Sequence, residues 1–201
     1  HILTYLNTGH PLPILVRARQ ACIYPGIIKS YLNDIREKEL IEEKCAELKV
    51  ETSTKMRMMC ETISAEKEKG NPTLVFSYYV EEMNVLKSTL EDEYNMDVEM
   101  LNGKTTPKQR LIIPKLTPDV LIVQIQSCCE GLNLQQFCSV VFTSPHWNPA
   151  VEDQAIARAH RLGQKKPVKV YRFICDGLGD GAISLDRHCM NIQDVKRERM
   201  E

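Results

Sequence analysis

Apolar residues follow two different rhythms along this chain. From about Leu12 to Gly70 they recur at helical spacing: Ile27, Ile28, Tyr31, Leu32 and Ile35 form one stripe, and Met56, Met59, Cys60 and Ile63 another. Gly70-Asn71-Pro72 then interrupts the pattern with three breakers. From Thr73 onward, short apolar runs alternate with amphipathic stretches. Thr73–Ser77, Val98–Leu101, Val120–Val123, Ser139–Thr143 and Val168–Ile174 read as strands. The Val120 run is apolar at every position, as a parallel strand buried on both faces must be. Met83, Leu86 and Leu90 mark the inner face of the helix after the first strand, and Thr106 to Lys115 forms a shorter helix after the Asn102-Gly103 turn. This alternation predicts an α/β fold, a parallel sheet with helices on both faces, preceded by a helical segment. The boundaries expected are a helical lead-in over 1–70, the sheet domain over 71–175 and a helical extension over 176–201. In such sheets ligands gather in the loops at the carboxyl ends of the strands.

Composition narrows the class. The 201 residues are 43% hydrophobic and 26% charged, ordinary values for a soluble globular chain. No apolar run approaches the roughly 20 residues that span a bilayer, so no membrane partner is expected. The eight cysteines include no CxxC pair and no Cys/His knuckle spacing, so they read as reduced, buried thiols of an intracellular protein, without a metal site. His146, His160 and His188 form no metal or triad pattern. There is no nucleophile elbow and no paired-carboxylate site. The chain starts at His1, as a piece of a longer protein would.

Net charge is −1, but the charge is unevenly spread. The segment from Asp34 to Glu51 is rich in acids and fits a solvated helix. Arg158 to Arg172 carries Arg158, Arg161, Lys165, Lys166, Lys169 and Arg172 with no acid, which is compatible with phosphate or nucleic-acid contact. This basic stretch begins inside the most distinctive part of the chain, Trp147 to Gln164. There Asn148-Pro149 opens a helix, and spacings of four and three place Gln154, Arg158 and Arg161 on one face. Ala155, Ala157 and Ala159 keep the helix slim enough to lie against a sheet, and Gly163 stands where a C-terminal cap is expected. Guanidinium groups are permanently charged and fork-shaped for phosphate oxygens. A solvated charged face is the plainer reading of the same arginines.

The loops after the strands hold the remaining candidates. Gly103-Lys104-Thr105 invites a Walker A reading, but that motif needs a glycine where this chain has Val98. The loop reads instead as a phosphate-contacting turn or a plain solvated one. Ser127 to Leu134 offers small residues for close backbone approach. Trp147, the single tryptophan, is either core or a stacking platform for a base or sugar.

Taken together these motifs resemble the second motor lobe (the helicase C-terminal domain) of the Swi/Snf-related DNA translocases in helicase superfamily two. Arg19-Gln20-Ala21-Cys22 with Pro25 resembles the start of that lobe, and Leu74 to Ser77 resembles motif IV. Leu101-Asn102-Gly103 through Arg110 resembles the family's loop ending in arginine. Ser127 to Leu134 resembles motif V. Trp147-Asn148-Pro149-Ala150, with Gln154-Ala155, Arg158-Ala159, Arg161 and Gly163-Gln164, resembles motif VI.

The resemblance implies a recombinase-type (RecA-like) lobe and half of a chromatin-remodelling type of ATPase. Arg158 and Arg161 would be arginine fingers on ATP, with Gln154 beside them. Glu130 and Gly131 would line the nucleotide edge. Lys104, Thr105, Ser127, Cys128 and Trp147 would contact the DNA backbone. ATP and Mg2+ would be held mainly by a first lobe, without which this fragment alone is expected to be inactive. The implied partners are double-stranded DNA, that first lobe, and a nucleosome or a transcription or repair complex; in a eukaryote the location would be nuclear. Cys128-Cys129 replaces the family's usual two glycines, and Ser144 its usual aspartate. These departures leave open a second reading, a degenerate lobe that acts as a DNA- or protein-binding scaffold. A strand-separating RNA helicase is disfavoured by the form of motif VI.

Overall fold

Five strands form one all-parallel sheet in the order β2-β3-β1-β4-β5. They are β1 (Thr73–Ser77), β2 (Val98–Leu101), β3 (Val120–Gln124), β4 (Ser139–Phe142) and β5 (Lys169–Arg172). The helices are α1 (Pro11–Ile23), α2 (Thr54–Glu68), α3 (Val80–Asp92), α4 (Pro107–Ile112), α5 (Pro149–Ala159) and α6 (Leu185–Glu198). The structure, a computed structural model, describes residues 11–28, 53–127, 132–176 and 183–198. The expected stripe from Tyr31 to Ile35, the acidic segment from Asp34 to Glu51, and Cys128, Glu130 and Gly131 lie outside the described residues.

The period of two in each strand divides the core into two layers. Leu74, Phe76, Leu121, Val123, Val140 and Phe142 face one side, where Ala155 and Ala159 of α5 cover them. Val75, Val98, Val120, Ile122 and Val141 face the other, against Met59, Cys60 and Ile63 of α2 and Met83, Leu86 and Leu90 of α3. Strand connections explain the split: the chain leaves β1 toward one edge of the sheet and returns across it to β4. Right-handed crossovers in opposite directions deposit their helices on opposite faces. Each fully buried aliphatic side chain contributes about 1.5–3 kcal/mol, and Phe76 stacks on Phe142 at 5.2 Å between centroids.

Local chemistry sets the helix ends. Ser53 caps α2 by accepting the Met56 N–H, and Gly70, at φ +68°, ends the exit turn that follows Lys69. Thr106 and Gln109 form a reciprocal capping box at α4, with Pro107 in the first turn. Asn148 accepts the Ala150 N–H at 3.1 Å and starts α5. The five described cysteines are free thiols. Burial is the main cause that pushes Cys22 and Cys189 up to about 11 and Cys60 to about 12. Among the described residues no helix is long and apolar enough to cross a membrane.

Candidate functional site

The arginine helix is shorter than its spacing suggests. It ends at Ala159, where His160 leaves helical geometry (φ −83°, ψ 82°) after its N–H bonds the Ile156 carbonyl at 2.8 Å. Gln154 and Arg158 therefore share a helix face, but Arg161 stands on the exposed turn beyond the helix. Gly163 is likewise not the helix cap. Its φ of +103° serves a later turn closed by the Gln164 N–H on the Arg161 carbonyl at 2.9 Å. A Cβ at Gly163 would come within 2.8 Å of the Gln135 side-chain oxygen. The Gln164 amide pulls this segment inward, donating to the carbonyls of Gln135 (2.8 Å) and Phe137 (3.0 Å). Of the three alanines, Ala155 and Ala159 are buried, whereas Ala157 is exposed on the outer side of the helix.

Motifs V and VI meet at this helix end. The Leu134 N–H donates to the Arg158 carbonyl at 3.1 Å, so Arg158 is tied to the segment that follows Glu130 and Gly131 in sequence. The Arg161 guanidinium makes no ion pair or hydrogen bond with any described residue. The basic stretch as a whole is not one phosphate surface. Lys169 binds Glu66, Arg172 binds Glu152, and Lys166 donates to Gly70 O and Asn71 Oδ1. These three cations hold the fold together: Lys169 and Arg172 satisfy buried carboxylates, which need donors more than a surface cation needs water, and Lys166 ties the Gly70-Asn71 turn.

At the other end of α5, the loop after β4 is gripped from several directions. Glu152, fully buried, accepts from the His146 N–H, Arg172 Nε and Gln193 Nε2, each at 2.7 Å. Lys55 Nζ donates to Ser144 Oγ at 2.9 Å and pairs with buried Asp186 at 2.5 Å. Arg19 donates to the Pro145 carbonyl and lies over the Tyr78 ring, 3.8 Å from its centroid. Tyr78 in turn stacks on His146 at 5.7 Å. Burial pushes Tyr78 up and, helped by Arg19, pushes His146 below its ordinary value despite the Asn148 carbonyl. Trp147 belongs to this neighbourhood. It is half-buried, edge-on to His188 of α6 at 6.2 Å, and its carbonyl accepts from Lys196.

Lys104, Thr105 and Ser127 gather at the carboxyl ends of β2 and β3. Arg110 fastens them, donating to the carbonyls of Asn102 (3.0 Å), Thr105 (3.2 Å) and Ser127 (2.9 Å). Gln124 adds a bond to the Gly103 N–H at 3.1 Å. Lys104 is exposed at the tip. Strands about 4.8 Å apart put Trp147, after β4, about 10 Å or more from this cluster, so the expected nucleic-acid residues divide into two groups.

Sequence reasoning missed Arg110 as a fastener, although the motif quoted for that loop ends on it. It missed Glu152 as well, which reads as an ordinary first-turn acid beside Asp153.

The sequence pattern of the helicase conserved C-terminal domain matches residues 54–163, more than half of the chain. The chain belongs to that family. Among curated relatives, this helicase C-terminal domain is 31% identical over 175 residues to the SNF2 domain-containing protein CLASSY 3 of Arabidopsis thaliana, which covers 79% of the chain. It is 32% identical over 138 residues to the DNA repair protein RAD5 of Candida glabrata, covering 64% of the chain. The chain spans 12% of the length of each. Its fold is that of the SWI2/SNF2 ATPase core of Sulfolobus solfataricus, solved in complex with dsDNA, at a TM-score of 0.61 and 23% identity. That match covers 82% of this chain and 32% of the other. The RecA-like parallel lobe expected from the motifs is thus the fold observed, and the relatives are SNF2-family proteins.

Proposed function

We propose that this helicase C-terminal domain is the second motor lobe of an ATP-dependent double-stranded DNA translocase, with Arg158 and Arg161 as its arginine fingers. The observation that carries the reading is the mounting of the two arginines. Arg158, whose carbonyl is tied to Leu134 of motif V, projects from the last turn of α5, and Arg161 from the turn just beyond, which Gln164 ties to Gln135 and Phe137. Arg161 is exposed without an ion-pair partner among the described residues. A cation held out on a rigid mount costs side-chain entropy that a surface ion pair, at under about 1 kcal/mol, does not return. A developing phosphate charge does return it.

ATP with Mg2+ supplies the phosphoryl group whose hydrolysis drives such a motor, and a first lobe would hold most of it. From this chain, Arg158 and Arg161 neutralise charge on the phosphates, and Gln154, exposed on the same helix face as Arg158, lies alongside. Glu130 and Gly131 line the nucleotide edge. At the other rim, Lys104, Thr105 and Ser127 contact the DNA backbone from the Arg110-fastened loops. Cys128, next in sequence, is assigned the same role, and Trp147 is a separate contact after β4. Backbone contact without base reading suits stepping along any sequence. The relatives' printed names, a DNA repair protein and a dsDNA-bound ATPase core, support DNA as the track.

Removing a finger costs about 10³–10⁵ in rate, equivalent to about 4–7 kcal/mol of transition-state stabilisation. In the intact protein, Arg158→Ala and Arg161→Ala are each expected to lower DNA-stimulated ATP hydrolysis on that scale while DNA binding persists. Full turnover in either variant removes that residue from the role. DNA-binding without any ATPase in the wild type would favour the scaffold reading instead.

A further inference from the structure

The finger-bearing helix is held at its first turn by the C-terminal helix. Resting on the reading above, we propose that α6 sets the position of α5 through Gln193, which makes Gln193 a positioning residue for ATP hydrolysis. Buried residues of α6 are Asp186, Cys189 and Gln193, so two of three inward positions are polar. Gln193 donates both to Glu152 (2.7 Å) and to the His146 carbonyl (2.5 Å) and so bridges α5 to the loop before it. One turn on, Arg197 forks onto Asp153 at 2.9 and 3.1 Å, and Lys196 takes the Trp147 carbonyl. Asp186, through Lys55 and Ser144, fixes the start of the same loop.

A buried carboxylate with three donors tolerates only the helix angle that satisfies all three. Arg158 lies six residues beyond Glu152, about 9 Å along the axis. A tilt of about 7° at the first turn therefore moves Arg158 by about 1 Å, and a misplacement of that size costs about 10²-fold in rate. Apolar packing fixes the tilt less sharply, because the fully buried apolar positions of α5 are the small Ala155 and Ala159, and Val151 and Ile156 pack only partly buried at its flanks.

The test is a double-mutant cycle in the intact protein, read as single-turnover hydrolysis of ATP with duplex DNA. Gln193→Met keeps the length and removes the amide. It is expected to slow hydrolysis by about 10–10²-fold with ATP affinity unchanged. In the Arg158→Ala background it is expected to add nothing, since a misplaced finger and an absent one are equivalent. Losses that multiply, or an unaffected Gln193→Met single variant, overturn the inference while leaving the fingers in place. A fully active Arg158→Ala overturns the reading on which it rests. If Gln193→Met does not fold, Arg197→Gln carries the same cycle from the exposed side, with an expected loss of about 2–5-fold; multiplication again refutes the coupling.

Discussion

Glu66 shows how much one side chain can join in this lobe. It sits in the last turn of α2, almost fully buried, and gathers Asn71, Lys69, Lys169 and Tyr171. Burial pushes its carboxyl up, but hydrogen bonds from Asn71, Lys169, Lys69 and Tyr171 outweigh that and bring it down to about 2. A depressed carboxyl stabilises the fold above the unfolded value near 4.5 and ceases to do so as pH falls toward 2. With half-exposed lysines screening part of the gain, Glu66→Gln is expected to cost about 2 kcal/mol at pH 7. Urea titrations repeated at lower pH should show the two proteins converging between pH 4.5 and 2. A difference independent of pH would place the effect elsewhere. The position was invisible in the sequence, where Glu66 is one acid among Glu61, Glu66 and Glu68 on an amphipathic helix. Two of its partners, Lys169 and Tyr171, arrive from the edge strand β5, about 100 residues on.

Strands were the most legible elements. The three inner strands, β1, β3 and β4, are buried almost throughout, and such a run has no stable place except between two helical layers, so pattern and tertiary position coincide. The edge strands β2 and β5 carry charged residues and are partly exposed. The end of α5 was not legible. Helical periodicity continues through Arg161 in the sequence, whereas the helix ends after Ala159. There Leu134 bonds the Arg158 carbonyl and Gln164 bonds Gln135 and Phe137, contacts more than 20 residues distant that no local pattern announces. The loop after β2 lies between these cases. Its turn residues are plain, but its rigidity comes from Arg110, which reaches three carbonyls across two loops. Arg110→Ala is expected to free the Asn102–Thr105 turn. Hydrogen exchange at the Thr105 amide, bonded to Asn102 O at 3.1 Å, should accelerate about tenfold or more. Exchange in β1 should not change. Unaltered exchange at Thr105 would show that the turn holds its shape without the arginine.

At the scale of the molecule, the sequence foretold the sheet and the family but not the polar hub behind the candidate fingers. Arg19, Lys55 and Glu152 come from three separate helices and Asp186 and Gln193 from a fourth, and no local pattern marks any of these helices as a partner of the others. Only the sheet order brings them to the end of β4. That same order has a consequence for how the chain is made. The central strand β1 pairs with nothing near it in sequence: Thr73 aligns with Val120 on one side and Ser139 on the other. During synthesis at about 5–20 residues per second, β1 leaves the ribosome several seconds before β4 exists to cover it. A nascent chain stopped at Gln135 is expected to be cleaved by a protease as readily as an unfolded one, and one extended past Glu198 to resist. Equal resistance at both lengths would mean that β1 and β3 pair stably on their own. The central strand of the sheet thus waits for its second neighbour while fully apolar on its inner positions, so newborn chains should depend on a holding chaperone while the finished domain does not.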